Sequence, residues 1–327
     1  MRRWAAALLL LSGCGGVAGA LAMPGVMGGA SLHAEFRLAP CPAQLDPRSV
    51  AVVGTGGGVH EGQLVFPGPG ATPLGGADLV VEDLGGRTLA TLRSDGCGRF
   101  RLEALGPMEV RLRYRVRTLA GALPLRPGGP SMLAVGTSTL RVGVVEGKYD
   151  HVERILDQLG IRYELFSPDR LKDSHLERFD VLFINCAYPH RPEEHSAKLR
   201  AFVDGGGALY VSDLGLPYIE KAWPEVLVRS PATTWPKVES ARAVEPDLMA
   251  YLHGADVVPL IHDLPGWRKL QRMNATARAL LVNSESGEPH MVLFPSGRGL
   301  VGFTTFHHQA QLNDAMLYSL IFLITRL

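Results

Sequence analysis

The strongest constraint on the fold of this 327-residue chain is a change of hydrophobic pattern near residue 139. Before it, short alternating stretches are separated by glycine and proline. ADLVVED, RTLATLRS, RFRLEAL and MEVRLRYRV each read as a strand, with turns at Gly85-Gly86 and SDGCG. In the last of them Val110, Leu112 and Tyr114 share one face, while Arg111, Arg113 and Arg115 share the other. After residue 139, strands alternate with helices. LRVGVVEG, IRYELFS, FDVLFINCA and GALYVSDLG are apolar strands. Tyr149 to Leu159 carries apolar residues at 152, 155, 156 and 159, the spacing of a helix, with Asp150 placed to cap it. PEEHSAKLRAFVDGG is a second helix, and NDAMLYSLIFLITRL is the last. The order βαβαβαβ predicts a mostly parallel sheet with helices on both faces. The fold class is therefore α/β, preceded by a small antiparallel β-sandwich.

The N-terminus sets the compartment. Arg2 and Arg3 precede a short apolar run, Trp4 to Leu11, and then Leu11-Ser12-Gly13-Cys14. The run is too short to span a bilayer and reads as a secretion signal. It resembles the signal of bacterial lipoproteins, which implies lipidation of Cys14 and a membrane anchor at the cell envelope, with an outer-membrane or periplasmic destination. Ordinary signal cleavage after Ala22 is the alternative. Residues 15–45, rich in glycine, alanine and proline, read as a tether. In such a compartment Cys41 and Cys97 are free to form a disulfide. The net charge is +1, so no strong field favours nucleic acid.

Within residues 46–120, Gly76-Ala77, Gly85-Gly86, Ser94-Asp95-Gly96-Cys97-Gly98-Arg99-Phe100 and Pro107 resemble a carboxypeptidase-regulatory-like domain. That resemblance implies a β-sandwich accessory module with no chemistry of its own. Residues 121–138, with LPLRPGGPSM, read as a linker.

Two local matches make residues 139–327 resemble the class I glutamine amidotransferase-like fold; a ThuA-like, flavodoxin-like domain would have the same sheet. Working members hold a nucleophilic cysteine in a G-x-C-x-G turn after a strand. The corresponding run here is Val211-Ser212-Asp213-Leu214-Gly215, with Asp213 at the cysteine position. Working members also carry a Q-F-H-P-E run. Here it is Thr305-Phe306-His307-His308-Gln309, which keeps His307 and replaces the glutamate by Gln309. A Cys-His-Glu triad needs nucleophile, base and orienting acid. Two of the three are missing, so glutamine hydrolysis is not expected. Cys186 ends the strand FDVLFINCA and reads as a small buried hydrophobe.

Asp213 and His307 are thus the candidate site residues, expected near one another at the carboxyl ends of the strands, where open α/β sheets bind ligands. A metal held by Asp213, His307 and His190 competes with a plain Asp–His pair; no metal-ligand spacing such as HExxH exists, and no metal or cofactor is expected. His151, His190 and His195 flank helix starts and read as solvated or capping. Trp223 and Trp267 read as core, with a groove wall as the alternative. The functional expectation is a non-catalytic envelope lipoprotein that binds an envelope protein or carbohydrate ligand. The alternatives are a hydrolase of carbohydrate or peptide using Asp213 and His307, and a structural spacer.

Overall fold

A computed structural model describes residues 36–107, 109–117, 119–230, 235–263 and 265–327. The signal, Cys14 and most of the expected tether lie outside the described residues.

Eight strands build the N-terminal part. They are β1 (Val50–Val52), β2 (Gly58–Val65), β3 (Asp78–Glu82), β4 (Thr88–Arg93), β5 (Arg99–Leu105), β6 (Val110–Val116), β7 (Leu119–Leu125) and β8 (Met132–Ala134). They form two sheets, ordered β1-β5-β2-β8 and β4-β3-β6-β7. Along β6 every second residue is buried, which is what its Val/Leu/Tyr and Arg alternation requires. The turn before β5 is held by Asp95, whose Oδ1 accepts from the backbone of Cys97 (2.9 Å) and Arg99 (2.8 Å). Gly98 takes a φ of +73° there, a conformation that favours glycine.

Residues 121–138 are not a linker: they complete β7 and contain β8. Pro124 is tolerated because β7 is an edge strand, paired only to β6. Gly121 is needed because a Cβ at that position would lie 2.3 Å from the Tyr114 hydroxyl. That hydroxyl also accepts from the Gly136 amide at 2.7 Å and fastens the segment beyond β8. The end of the expected tether is docked as well. Leu38 N donates to Asp314 Oδ2 at 3.0 Å, the Ala39 carbonyl lies 2.7 Å from His253 Nδ1, and Cys41 is disulfide-bonded to Cys97 with their Cα atoms 6.2 Å apart.

The second part begins with β9 (Val142–Val145), α1 (Val152–Leu159), β10 (Tyr163–Phe166), β11 (Val181–Ile184), α2 (Pro192–Asp204), β12 (Ala208–Ser212) and α3 (Leu216–Ala222). It continues through β13 (Leu227–Arg229), β14 (Lys237–Ala243), α4 (Pro246–Tyr251), β15 (Val257–His262) and β16 (Leu270–Met273). It closes with β17 (Arg278–Asn283), β18 (Pro289–Ser296), β19 (Gly299–Thr304) and α5 (Asp314–Arg326). Nine of these strands make one sheet, ordered β10-β9-β11-β12-β19-β18-β17-β14-β15. From β10 to β19 the pairing is parallel; from β19 to β15 it is antiparallel.

Both faces of the sheet are buried, which explains why β9, β11 and β12 are apolar throughout. Val181, Phe183, Ala208 and Tyr210 pack with α1 and α5, whereas Leu182, Ile184, Leu209 and Val211 pack with α2 and α3. The first of these clusters continues without a break into the sandwich. Close backbone contacts reinforce that junction. Gly68 N donates to Leu159 O at 3.2 Å, and a Cβ on Gly96 would lie 2.2 Å from Ala250 O. Arg93 reaches Asp247 at 2.9 Å.

Candidate functional site at the carboxyl end of the sheet

The strand topology brings the ends of β11, β12, β15 and β19 to one edge. Asp213 follows β12 directly, at the turn into α3, with a φ of +41°. A left-handed backbone at a non-glycine residue costs about 1–3 kcal/mol and persists only where its surroundings impose it. Here the turn is tight: a Cβ on Gly215 would lie 2.6 Å from Val211 Cγ1. A strained strand-to-helix turn is therefore present, with the Asp213 carboxylate on it.

His307 lies just beyond β19, on a segment hung from Asp150. The Asp150 carboxylate is fully buried and accepts from the backbone of His308 (3.1 Å), Gln309 (2.9 Å) and His151 (3.1 Å). Burial raises its pKa in spite of these donors. Asp150 thus joins two loops instead of capping α1, whose N-cap position is His151. His308 is also fully buried. It is held between the Tyr210 hydroxyl (2.8 Å) and the Ser319 hydroxyl (3.2 Å), and burial pushes its pKa down to about 3.

His307 is buried between two carboxylates. Nε2 is 3.2 Å from Asp213 Oδ2, and Nδ1 is 3.2 Å from Asp263 Oδ1. Burial alone would lower its pKa, but Asp213 and Asp263 outweigh that and hold it well above the usual imidazole range. Asp263 is held below the usual carboxylate range by the same imidazole. His307 is therefore an imidazolium at neutral pH. It is a proton donor, not a base.

Cys186 completes the group. Its thiol donates toward Asp213 Oδ2 at 3.6 Å. The residue is fully buried, and its pKa is pushed up to about 11 by burial, with the Asp213 carboxylate adding to the rise. It is not a thiolate, so the Cys–His pair lacks its nucleophile. The surface above Asp213 is a narrow cleft of about 40 Å³, lined by Leu214, Leu216, Pro217, Arg229, Gly266 and Arg268. That volume holds a few water molecules at most.

The sequence candidates Asp213 and His307 do meet. Asp263 and Cys186 join them at the site; the sequence gives no sign of Asp263, and Cys186, read there as a small buried hydrophobe, instead faces Asp213. Asp263, from the segment after β15, pairs with His307 Nδ1, and Gln309 does not take that position. His190 does not join the group; it pairs with Asp169 at 3.2 Å. His195 is buried on α2, so it is not solvated. Trp223 and Trp267 are both buried.

No protein-family model matches this chain, and no curated protein matches it. Among solved structures, it is similar to a Thermoplasma acidophilum protein assigned to GMP synthase, at 13% identity and TM-score 0.45, over 57% of this chain and 94% of that one. It is similar to a ThuA-like protein from Bacteroides uniformis, at 10% identity and TM-score 0.41, over 56% and 89%. It is similar to the PurLQS structure from Thermotoga maritima, at 12% identity and TM-score 0.43, over 57% and 98%. At these scores the matches support no activity.

Proposed function

We propose that this chain is a non-catalytic envelope lipoprotein whose amidotransferase-like part binds a carbohydrate or protein ligand at the carboxyl end of its sheet. The observation that carries this reading is the clamped His307. An imidazolium held between Asp213 and Asp263 has no free lone pair to activate a nucleophile, and a carboxylate at the elbow is a poor nucleophile toward an amide. Native protein should release no ammonia from glutamine. Soluble cell-wall oligosaccharides and peptides should raise its melting temperature, and Asp213→Asn should remove that rise. Glutamine hydrolysis above the rate of a boiled control would overturn the reading. Anchoring belongs to the same proposal: Cys14→Ser should move the protein from the membrane fraction to the soluble one, and unchanged partitioning would refute lipidation.

A further inference from the structure

A second buried cluster lies beside the first, on residues to which the proposed function assigns no role. Glu239 is on β14, His262 ends β15 and His290 is near the start of β18. All three are buried, at 7%, 3% and 1% exposure. Such burial is costly for polar groups without partners. Outside the cluster itself, Glu239 Oε2, both ring nitrogens of His262 and Nε2 of His290 make no hydrogen bond.

The geometry explains where these atoms point. Nε2 of His290 is 3.0 Å from Glu239 Oε2, and Nε2 of His262 is 3.6 Å from the same oxygen. One donor atom from each residue fits within a sphere in which all pairs lie within 4.8 Å. Ligands about 2.0–2.1 Å from a tetrahedral ion are roughly 3.3–3.5 Å apart, and the two measured separations straddle that value. The other carboxylate oxygen is occupied elsewhere: Lys237 Nζ contacts Oε1, and Lys269 Nζ is 3.6 Å from it.

The surroundings orient each ligand. His290 Nδ1 is 2.9 Å from the Thr305 hydroxyl, which leaves Nε2 for the cluster. Metal-bound histidines are commonly held through their second nitrogen in this way. The His262 ring stacks on Trp267, with centroids 3.5 Å apart and planes 8° from parallel.

We infer that Glu239, His262 and His290 form a binding site for a divalent transition-metal ion, best suited to zinc. Two imidazoles and one carboxylate are a zinc donor set that leaves a fourth position open. The site shares two chain segments with the His307 cluster, through His262-Asp263 and through Thr305-Phe306-His307. No local spacing motif announces it, because its three ligands come from three strands.

The test uses the full chain in detergent, stripped with chelator and titrated with Zn²⁺ against a chromophoric competitor. One equivalent should bind per chain. Glu239→Gln and His262→Gln should each weaken binding by at least about tenfold, and Thr305→Val by about 10–100-fold through lost orientation of His290. Cys186→Ser should bind as the native protein does, and Co²⁺ should give a spectrum without a thiolate charge-transfer band. Absence of stoichiometric binding, full affinity in Glu239→Gln, or loss of binding in Cys186→Ser would each overturn the assignment. Thr305→Val keeps the ligand set intact and carries the test if a ligand variant does not fold.

Discussion

Asp263 Oδ1 lies 3.2 Å from Nδ1 of His307, the ring nitrogen opposite the one that faces Asp213. A histidine so placed is oriented as a catalytic base would be, yet the second carboxylate keeps it protonated. What separates this site from a Cys-His-Asp arrangement is therefore one side chain at the elbow. Asp213→Cys should place a thiol next to a histidine that Asp263 already orients, and that thiol should be alkylated by iodoacetamide at pH 7 faster than a free cysteine. In the native protein Cys186 should behave in the opposite way. With a pKa raised from 9.0 to about 11 it has on the order of 100-fold less thiolate than an unperturbed cysteine, and it is buried besides. Mass spectrometry of the alkylated variant and of alkylated native protein reads the two; rapid labelling of Cys186 in folded protein would contradict the described geometry.

The buried histidines predict an asymmetric pH profile. His308 and His262 have folded pKa values of about 3, below the unfolded value of about 6.5. Each is neutral in the fold, so its contribution is complete above pH 6.5 and is lost as pH falls toward 3. His60 and His195, also lowered by burial, act in the same direction. Carboxylates with lowered pKa add a slope of the same sign near pH 4.5, where their unfolded forms are still part-protonated, and this fades by about pH 6. Asp150 and Glu220, with raised pKa, oppose it. His307 has the reverse sign: its contribution is complete below pH 6.5 and is lost as pH rises through its elevated folded value. Urea melts of native protein and of His308→Gln between pH 4.5 and 6 isolate one residue. The variant's stability should depend on pH less steeply by about 1.4 kcal/mol per unit, one proton's worth. Parallel slopes would show that His308 is not the buried neutral group described.

Sequence patterning carries the regular elements because both periodicities are intact. The alternation of Val110 to Val116 and the continuous apolar runs of β9, β11 and β12 each admit one reading. The elbow is legible for the same reason: Asp213 and Gly215 occupy a turn with local spacing. Asp263 is not, because no motif links it to His307, 44 positions away; the antiparallel placement of β15 brings it there. β7 is hidden because Gly121 and Pro124 are loop signals in isolation. Their strand roles depend on Tyr114 and on a free sheet edge. Cys186 shows a third limit: the apolar run of β11 hides the fact that the cysteine two residues past its end lies against a polar site.

The disulfide makes a stability prediction. Cys41 and Cys97 are 56 positions apart, and closing a loop of that length is worth about 4 kcal/mol in the chain-entropy model. The bond also pins a segment that otherwise reaches the fold through Leu38 and Ala39. The double variant Cys41→Ala, Cys97→Ala should lose roughly 3–4 kcal/mol in denaturant melts. Reductant should lower the native midpoint and leave the variant unmoved. Coincident melts for native and variant protein would remove the disulfide from the list of stabilising contacts.

The sandwich and the α/β part should unfold together. Their hydrophobic cluster is continuous, and the Tyr251 hydroxyl of α4 donates to the Gly75 carbonyl just ahead of β3. Arg93 from the sandwich and Arg326 from α5 converge on the same Asp247 carboxylate. Calorimetry should therefore show one transition, with van't Hoff and calorimetric enthalpies equal. Tyr251→Phe leaves the buried Gly75 carbonyl without its donor, at a cost of about 1–3 kcal/mol. For a unit of this size that lowers the melting temperature by roughly 2–5 °C. Because the contact bridges both parts, the single transition should move as a whole. Two resolved transitions, with only one of them displaced by Tyr251→Phe, would mean that the shared core does not couple the parts.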